Sequence, residues 1–429
     1  MPNFKMVTRY IKAGVGVAAA WFVFSCAPRD VQPTPETPAS LGQVPAVRLN
    51  FRYEADVPAP TEPAKTSTEE RNAAVQADFD QNRTQEVLDK TFAAPGGKRI
   101  AALYHRLGDL PSEFRLDMYG DDGKPLHKMT TDLMAVHFPD TIRWSPDSES
   151  LAFVAMLRGV STEPEVAATP PSLDTNSNTN TDPEADAANT APAAAPTPAA
   201  PTGILTFRTE QIYISNSDGS TVKPVTQTDG LIYFYYAWAP DSSALVALAA
   251  TQREWQFLQF RADTNGEIFV PVGRPRLVEK NGRERRLDDG MTAVRPVWSP
   301  DSTKVACGYD TQLRIYDAAG TSPTQAAIPL RNQLLISSQA YDRDQQQKLN
   351  AANTEAQPPD PNANQQVSTL PDEKTLVSFN PIVALSWPED GILYFQTAFI
   401  KRMKKEVDSV TSFQRWHRLI LTPQAVTIR

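Results

Sequence analysis

Cysteine and histidine are scarce in this chain. Its 429 residues include two cysteines, Cys26 and Cys307, and four histidines, His105, His127, His137 and His417. Two cysteines exclude a disulfide-stapled scaffold and a cysteine-rich zinc module. Four scattered histidines leave little for a histidine metal centre, so neither a metal nor another cofactor is expected. Long apolar runs are also missing. Ala13–Phe24 spans about 12 residues, short of the roughly 20 needed to cross a bilayer. Basic residues are in deficit, 42 against 50 acids, and the net charge of −8 argues against a nucleic-acid partner.

Catalytic signatures are lacking as well. The sequence holds no Gly-x-Ser-x-Gly elbow, no phosphate-binding Gly-x-x-x-x-Gly-Lys-Ser/Thr loop, no Gly-x-Gly-x-x-Gly unit and no His-Glu-x-x-His. No catalytic residue is therefore assigned. Asn216-Ser217-Asp218-Gly219-Ser220 reads as a hairpin turn rather than a calcium loop, because the acidic residue that would close such a loop is missing.

Proline is abundant instead, with 37 residues, and it collects in tracts. Residues 26–45 carry five prolines and read as an extended tether. Residues 160–202 hold eight prolines and six acids with no base, and read as a disordered acidic insertion. Residues 340–374, rich in Gln, Asn and Pro, read as a second disordered insertion.

The N-terminus is an address. Lys5, Arg9 and Lys12 precede the short apolar run, which is the secretory-signal pattern. Val23-Phe24-Ser25-Cys26 resembles a bacterial lipobox. The resemblance implies a signal peptide over 1–25, cleavage before Cys26 and lipidation of its thiol and new amine. Removing three bases takes the net charge to about −11. Ala27 follows the cysteine, where lipoproteins retained at the inner membrane carry aspartate. The expectation is therefore an exported, membrane-anchored protein, on the periplasmic side of the outer membrane if the source is Gram-negative. Cys307, within Lys304–Gly308, reads as a buried structural thiol.

An internal repeat is the main signal. Trp144-Ser145-Pro146-Asp147-Ser148 recurs as Trp238-Ala239-Pro240-Asp241-Ser242 and as Trp298-Ser299-Pro300-Asp301-Ser302. A variant stands at Trp387-Pro388-Glu389-Asp390-Gly391 and a degenerate copy at Ala93-Ala94-Pro95-Gly96-Gly97. Each leads into an apolar strand and then a second one, expected at Phe114–Tyr119, Gln211–Ser215, Phe257–Arg261, Leu313–Tyr316 and Trp416–Leu421. Turns follow the first four, at Asp122-Gly123, Asp218-Gly219, Asn265-Gly266 and Ala319-Gly320. With the insertions subtracted, the period is about 50 residues, the signature of four-stranded units in series. In the motif, Pro suits the second position of a type I turn and Trp offers a large apolar face to a neighbour. Trp144, Pro146, Asp147, Trp238, Pro240, Asp241, Trp298, Pro300, Asp301 and Trp387 are thus assigned to building the fold.

These motifs, with Ile212-Tyr213-Ile214-Ser215-Asn216-Ser217-Asp218-Gly219-Ser220 and Lys223-Pro224-Val225-Thr226, resemble the WD40-like repeat of TolB-type β-propellers. Related repeats occur in prolyl-oligopeptidase-family propellers and oligogalacturonate lyases. The resemblance covers about 90–425. It implies an all-β fold, a β-propeller of four-stranded blades over 91–429, with five recognisable repeats and six blades as is common in that family. Residues 46–90 form a lead-in. In it Val44–Tyr53 offers a ring-closing strand and 66–90 a short helix. A sixth unit has candidates at Leu334–Ser338 and Thr375–Phe379.

Two basic clusters stand out. Arg274, Arg276, Lys280, Arg283, Arg285 and Arg286 surround the Asn281-Gly282 turn, and Lys401, Arg402, Lys404 and Lys405 form the other. Solvated hairpins are one reading of them and anion binding is the other. The functional expectation is a non-enzymatic, lipid-anchored module that binds an envelope protein or a cell-wall component. The alternatives are a propeller enzyme acting on a glycan, to which His105, His127 and His137 would have to contribute, and a small-ligand sensor.

Overall fold

The computed structural model describes residues 40–61, 71–110, 112–157, 209–354, 378–401 and 410–424. Signal peptide, Cys26, the tether up to 39 and the acidic tract 160–202 lie outside them.

The described residues are mostly β, arranged as five antiparallel four-stranded sheets. Sheet I holds Glu86–Ala93, Arg99–Arg106, Arg115–Gly120 and Pro125–Lys128, in that order. Sheet II has a split first strand, Met134–Ala135 and Arg143–Trp144, then Ser150–Leu157, Gln211–Asn216 and Val222–Pro224. Sheet III runs Leu231–Trp238, Ala244–Thr251, Arg274–Glu279 and Glu284–Arg286. Sheet IV runs Val297–Trp298, Lys304–Tyr309, Gln312–Asp317 and Gln325–Pro329. Sheet V holds Ile382–Glu389, with the short Ser378–Phe379 ahead of it, then Ile392–Lys401 and Val410–Pro423. Its fourth strand comes from the N-terminal side: Leu49–Glu54 pairs with Val410–Pro423 in the register Leu49↔Pro423 to Glu54↔Arg418.

Successive sheets pack face to face. Leu103 and Met118 of sheet I share a cluster with Leu151 and Phe153 of sheet II. Val154 and Ile212 do so with Leu245 and Ala247 of sheet III. Val246 and Leu277 meet Val305 and Tyr316 of sheet IV, with Cys307 fully buried among them. Ala306 and Ile315 meet Trp387 and Phe395 of sheet V. The second strands are therefore buried on both faces, which is why Leu151–Ala155 and Leu245–Ala249 read as unbroken apolar runs rather than alternating ones. The remaining face of sheet I is covered by helix α1, Ala73–Asn82, through Val75 and Phe79 on Leu88, Ile100 and Tyr104. Asn72 caps that helix, its carboxamide oxygen accepting from Ala74 N and Val75 N.

The Trp-Ser-Pro-Asp-Ser motif joins sheets as well as turning strands. Trp144 Nε1 donates to the Phe92 carbonyl at 2.9 Å, Trp238 Nε1 to Arg143 at 3.2 Å and Trp298 Nε1 to Ala237 at 3.0 Å. In each case the acceptor is one residue ahead of the preceding repeat's motif. The turns are stitched too. Gly96 N donates to Ser148 Oγ, Asp147 N to Ser242 Oγ and Asp241 N to Ser302 Oγ, all at 2.9–3.1 Å. Ser148, Ser242 and Ser302 sit at φ of 62–64°, where glycine is easier. Serine costs roughly 1 kcal/mol there, but its hydroxyl satisfies the neighbouring turn. Trp387 departs from the pattern, since its buried Nε1 has no hydrogen-bond partner.

Three expectations fail. Phe257–Arg261 is not a strand. It lies in helix α2, Gln252–Asn265, capped by a Thr251/Glu254 capping box and ended by Gly266 at φ 67°. Aromatics suggested a strand, but the caps at both ends outweigh them. The third strand of sheet III is Arg274–Glu279, and its hairpin turns at Asn281-Gly282 rather than Asn265-Gly266. Secondly, the 340–374 tract does not begin disordered. Helix α3, Arg331–Thr354, takes in both 340–354 and the proposed Leu334–Ser338 strand. Gln, Leu, Lys and Ala are good helix formers, and no proline intervenes before 358. The rest of the tract, 355–374, lies outside the described residues. Thirdly, the tether packs before residue 45. Leu41 and Val44 are buried, Leu41 in the cluster between sheets IV and V. Ala46 N donates to Asp317 Oδ1 at 3.0 Å, and the same carboxylate pairs with the buried Lys304 at 3.1 Å. Sheet I also starts at Glu86, so it takes in the end of the 46–90 lead-in.

The indole bonds can be weighed. Trp298→Phe and Trp387→Phe remove comparable ring surface, but only the first breaks a bond, worth about 1 kcal/mol plus the cost of an orphaned carbonyl. Urea unfolding is expected to show Trp298→Phe losing at least about 1 kcal/mol more than Trp387→Phe. Equal losses would mean the indole bonds add nothing.

Candidate functional site

The basic hairpin is not a free cationic surface. Arg274 pairs with Glu254 at 2.7 Å, Arg276 with Glu284 at 2.5 Å, and Arg286 with Asp289 at 2.9 Å. Lys280 lies 3.7 Å from Asp147 and 5.3 Å from the Trp238 ring centre. Arg283 faces Glu279 at 3.8 Å, and Arg285 donates to the carbonyls of Asp317 and Ala318. Arg274, Arg276, Arg283, Arg285 and Arg286, the residues expected to bind an anion, thus each have an acidic or carbonyl partner: Glu279, Glu284 and Asp289 belong to the hairpin itself, and Glu254 comes from α2. Of the second cluster, Arg402, Lys404 and Lys405 lie outside the described residues.

The histidines occupy four separate settings. His105 Nδ1 is 2.7 Å from Asp89 Oδ2, and His127 Nδ1 is 3.0 Å from the Asp218 carbonyl at the sheet II hairpin. His137 Nδ1 meets the buried Glu210 at 2.8 Å, with Glu113 3.9 Å from its Nε2. His417 is fully buried in sheet V, bridging Tyr53 Oη at 3.0 Å and Thr397 Oγ1 at 2.9 Å, and stacked on Tyr53 and Phe395.

A different set of residues converges. The first strands of sheets I–III, with the residues leading into those of sheets II and IV, line a cavity of about 410 Å³. Lys90 and Phe92 reach it from sheet I, Asp140 and Arg143 from sheet II, Tyr235 from sheet III, and Arg295 from the residues leading into sheet IV. Their spacing follows the repeat. Phe92 and Arg143 stand one residue ahead of the motif starts Ala93 and Trp144. Lys90, Tyr235 and Arg295 stand three ahead of Ala93, Trp238 and Trp298. Positions two apart on a strand share a side, so each first strand turns the same positions inward.

The lining is held by the inter-sheet bonds. Trp144 Nε1 holds the Phe92 carbonyl, Trp238 Nε1 holds that of Arg143, and Tyr236 Oη donates to the Thr141 carbonyl. Register shifts at Leu88/Lys90 and Tyr233/Tyr235, and the break between the two halves of sheet II's first strand, re-aim side chains there. The Arg295 guanidinium lies 5.1 Å from the Tyr235 ring centre, and the Lys90 ammonium 5.3 Å from that of Phe92. Burial pushes the Tyr235 phenol above its ordinary value, while the charges of Arg143 and Arg295 pull it the other way. Among the described residues, Lys90, Arg143 and Arg295 make no ion pair, unlike the hairpin arginines. Sequence reasoning missed these cations because each is alone in its own strand. The signal that marks them is their offset from the repeated tryptophan.

The two strand-end edges differ. One carries the motif turns and the third-to-fourth strand hairpins. Ser40–Arg48 joins this edge: Val47 N donates to Thr324 Oγ1, and Leu41 N reaches Asp390 Oδ2. The opposite edge carries the ends of the second strands and the starts of the third, with α2, together with α3. Exposed apolar side chains collect on that edge: Leu107, Leu110, Leu133, then Phe257 (64 %), Phe260 (70 %), Ile268 (90 %) and Val270 around α2.

No protein-family model matches the sequence, and no curated protein matches it. Among solved structures, oligogalacturonate lyase from Vibrio parahaemolyticus is 9 % identical, covering 78 % of this chain and 66 % of its own, with a TM-score of 0.34. A protein described as a TolB from Agrobacterium tumefaciens is 12 % identical over 80 % of this chain and 91 % of its own, with a TM-score of 0.29. Prolyl oligopeptidase B from Galerina marginata is 9 % identical over 79 % and 36 %, with a TM-score of 0.35. The chain thus spans under two thirds of the length of both enzymes.

His417 offers a test of the N-terminal strand's docking. Burial, with Arg415 adding, holds its imidazole down to about 4. The unfolded chain takes up that proton near 6.5 and the folded chain only near 4. Stability from this group is complete above 6.5 and lost as pH falls towards 4, by about 2–3 kcal/mol. His417→Gln is expected to lose about 2 kcal/mol less than the parent between pH 7.5 and 4.5, read from urea midpoints. Parallel losses would sink this assignment.

Proposed function

We propose that the five sheets are blades of a β-propeller, that the chain is exported and lipid-anchored through Cys26, and that it serves as a non-enzymatic binding module for another envelope protein or a cell-wall component. One observation carries this reading. The segment joining the tether to the sheets meets the motif edge, whereas exposed apolar side chains gather with α2 and α3 at the opposite edge. A body held at one edge presents the other. Large exposed apolar groups such as Phe257, Phe260 and Ile268 are costly in water unless a partner covers them, and their clustering marks an interaction surface. Binding residues on connections carried by a rigid scaffold fit the same picture.

A glycan-acting enzyme is the second reading. The contact favouring it is the His137–Glu210 pair, with Glu113 nearby, since a carboxylate-held imidazole can serve as an acid or base.

The test is in-cell crosslinking of the tagged protein followed by mass spectrometry, with Phe257→Ser/Phe260→Ser and Cys26→Ala alongside. Reproducible envelope partners are expected, reduced at least about fivefold in the double variant and relocated or lost in Cys26→Ala. Because both phenylalanines are exposed, the double variant is expected to melt close to the parent. Unchanged partners in the double variant, or none above background in the parent, would reject the reading.

A further inference from the structure

We propose that the cavity lined by the first strands of sheets I–III and by Arg295 binds a small oxyanionic ligand carrying at least two negative charges. Lys90, Arg143 and Arg295 reach it from three separate sheets, and Asp140 is the one carboxylate in its lining. The site is therefore net positive inside a protein whose overall charge is −8. The six cations of the sheet III hairpin, by contrast, all have acidic or carbonyl partners. Lys90, Arg143 and Arg295, without an ion-pair partner among the described residues, repel one another around the cavity. An anionic ligand would remove that repulsion.

The surroundings define the ligand further. Two guanidinium groups offer paired donors suited to carboxylate or phosphate oxygens. Phe92 and Tyr235 place ring faces beside Lys90 and Arg295, giving a carbon skeleton something to lie against. Asp140 provides an acceptor for a hydroxyl or amine on the same ligand. A volume of about 410 Å³ lies in the range of small-molecule sites. The backbone is already locked by the indole bonds to Phe92 and Arg143, so little ordering is left to oppose binding. Phe234 of the lining packs on Trp255 of α2, but Phe257, Phe260 and Ile268 are not part of the lining, so failure of this site would leave the partner-binding reading standing.

Carboxylate and phosphate ligands share this chemistry, and titration calorimetry on the full mature chain separates them. Citrate and pyrophosphate are the probes, at ionic strength held constant with sodium chloride. Saturable one-to-one binding of at least one probe is expected. Tighter citrate would identify a carboxylate ligand and tighter pyrophosphate a phosphate. Arg143→Gln/Arg295→Gln is expected to weaken binding by at least about 30-fold, and Arg286→Gln, on the hairpin, by less than about twofold. The ligand-free double variant is expected to melt at or above the parent temperature. No saturable binding of either probe to the parent, or parent-like binding by the double variant, would overturn the proposal. So would a drop in melting temperature of more than about 5 °C, which would assign the arginines to the fold.

Discussion

The indole N–H bond from one sheet to the backbone carbonyl of the sheet before it is the constraint on which the structure turns. Sheets stacked face to face share only isolated backbone bridges, such as Phe114↔Val136, Glu210↔Ile232 and Gly273↔Thr292, and the rest of their contact is side-chain packing, which is non-directional. Trp144, Trp238 and Trp298 add direction: each bonds one carbonyl in the previous first strand, one residue ahead of that strand's own motif. Ser148, Ser242 and Ser302 repeat the arrangement at the turns, accepting left-handed backbone to place a hydroxyl. Stability in such a series is close to a sum of unit and neighbour terms, so the same few residues set both the unit and its junction.

Those bonds also set the cavity. The carbonyls held by Trp144 and Trp238 belong to Phe92 and Arg143, whose side chains line it. The same residues thus give a carbonyl to the fold and a side chain to the cavity. The N-terminal segment is locked at the far side of the series, through Asp317 with Lys304 and through the strand Leu49–Glu54 on Val410–Pro423. Burial of His417 between Tyr53 and Thr397 makes that last junction sensitive to acid.

Local chemistry made most of the strands legible. Pro in a type I turn followed by an apolar run placed the second strand of every sheet, the third strand of all but sheet III, and the hairpins at Asp122-Gly123, Asp218-Gly219 and Ala319-Gly320. It failed where two local signals competed: the aromatics of Phe257–Phe260 favour a strand, yet Thr251, Glu254 and Gly266 close a helix around them. It failed again in 340–354, where Gln-rich composition suggested disorder although every residue there tolerates a helix. The cavity was legible only as an offset. Lys90, Arg143 and Arg295 do not cluster in the sequence, and only their place relative to the repeated motif links them.

The sequence by itself determined the repeat, its turns and the alternation of strands, because these depend on backbone preferences and on neighbours a few residues away. The expected fold of four-stranded units in series follows from the same local rules. Tertiary structure alone decided which charges are matched. Arg274, Arg276 and Lys280 looked like an anion site and are neutralised, while Lys90, Arg143 and Arg295 looked ordinary and are left facing one cavity. Electrostatic pairing acts through space over a few ångströms: Arg276 meets Glu284 once the hairpin forms, whereas Lys280 meets Asp147, and Lys90, Arg143 and Arg295 reach one cavity, only when the sheets stack.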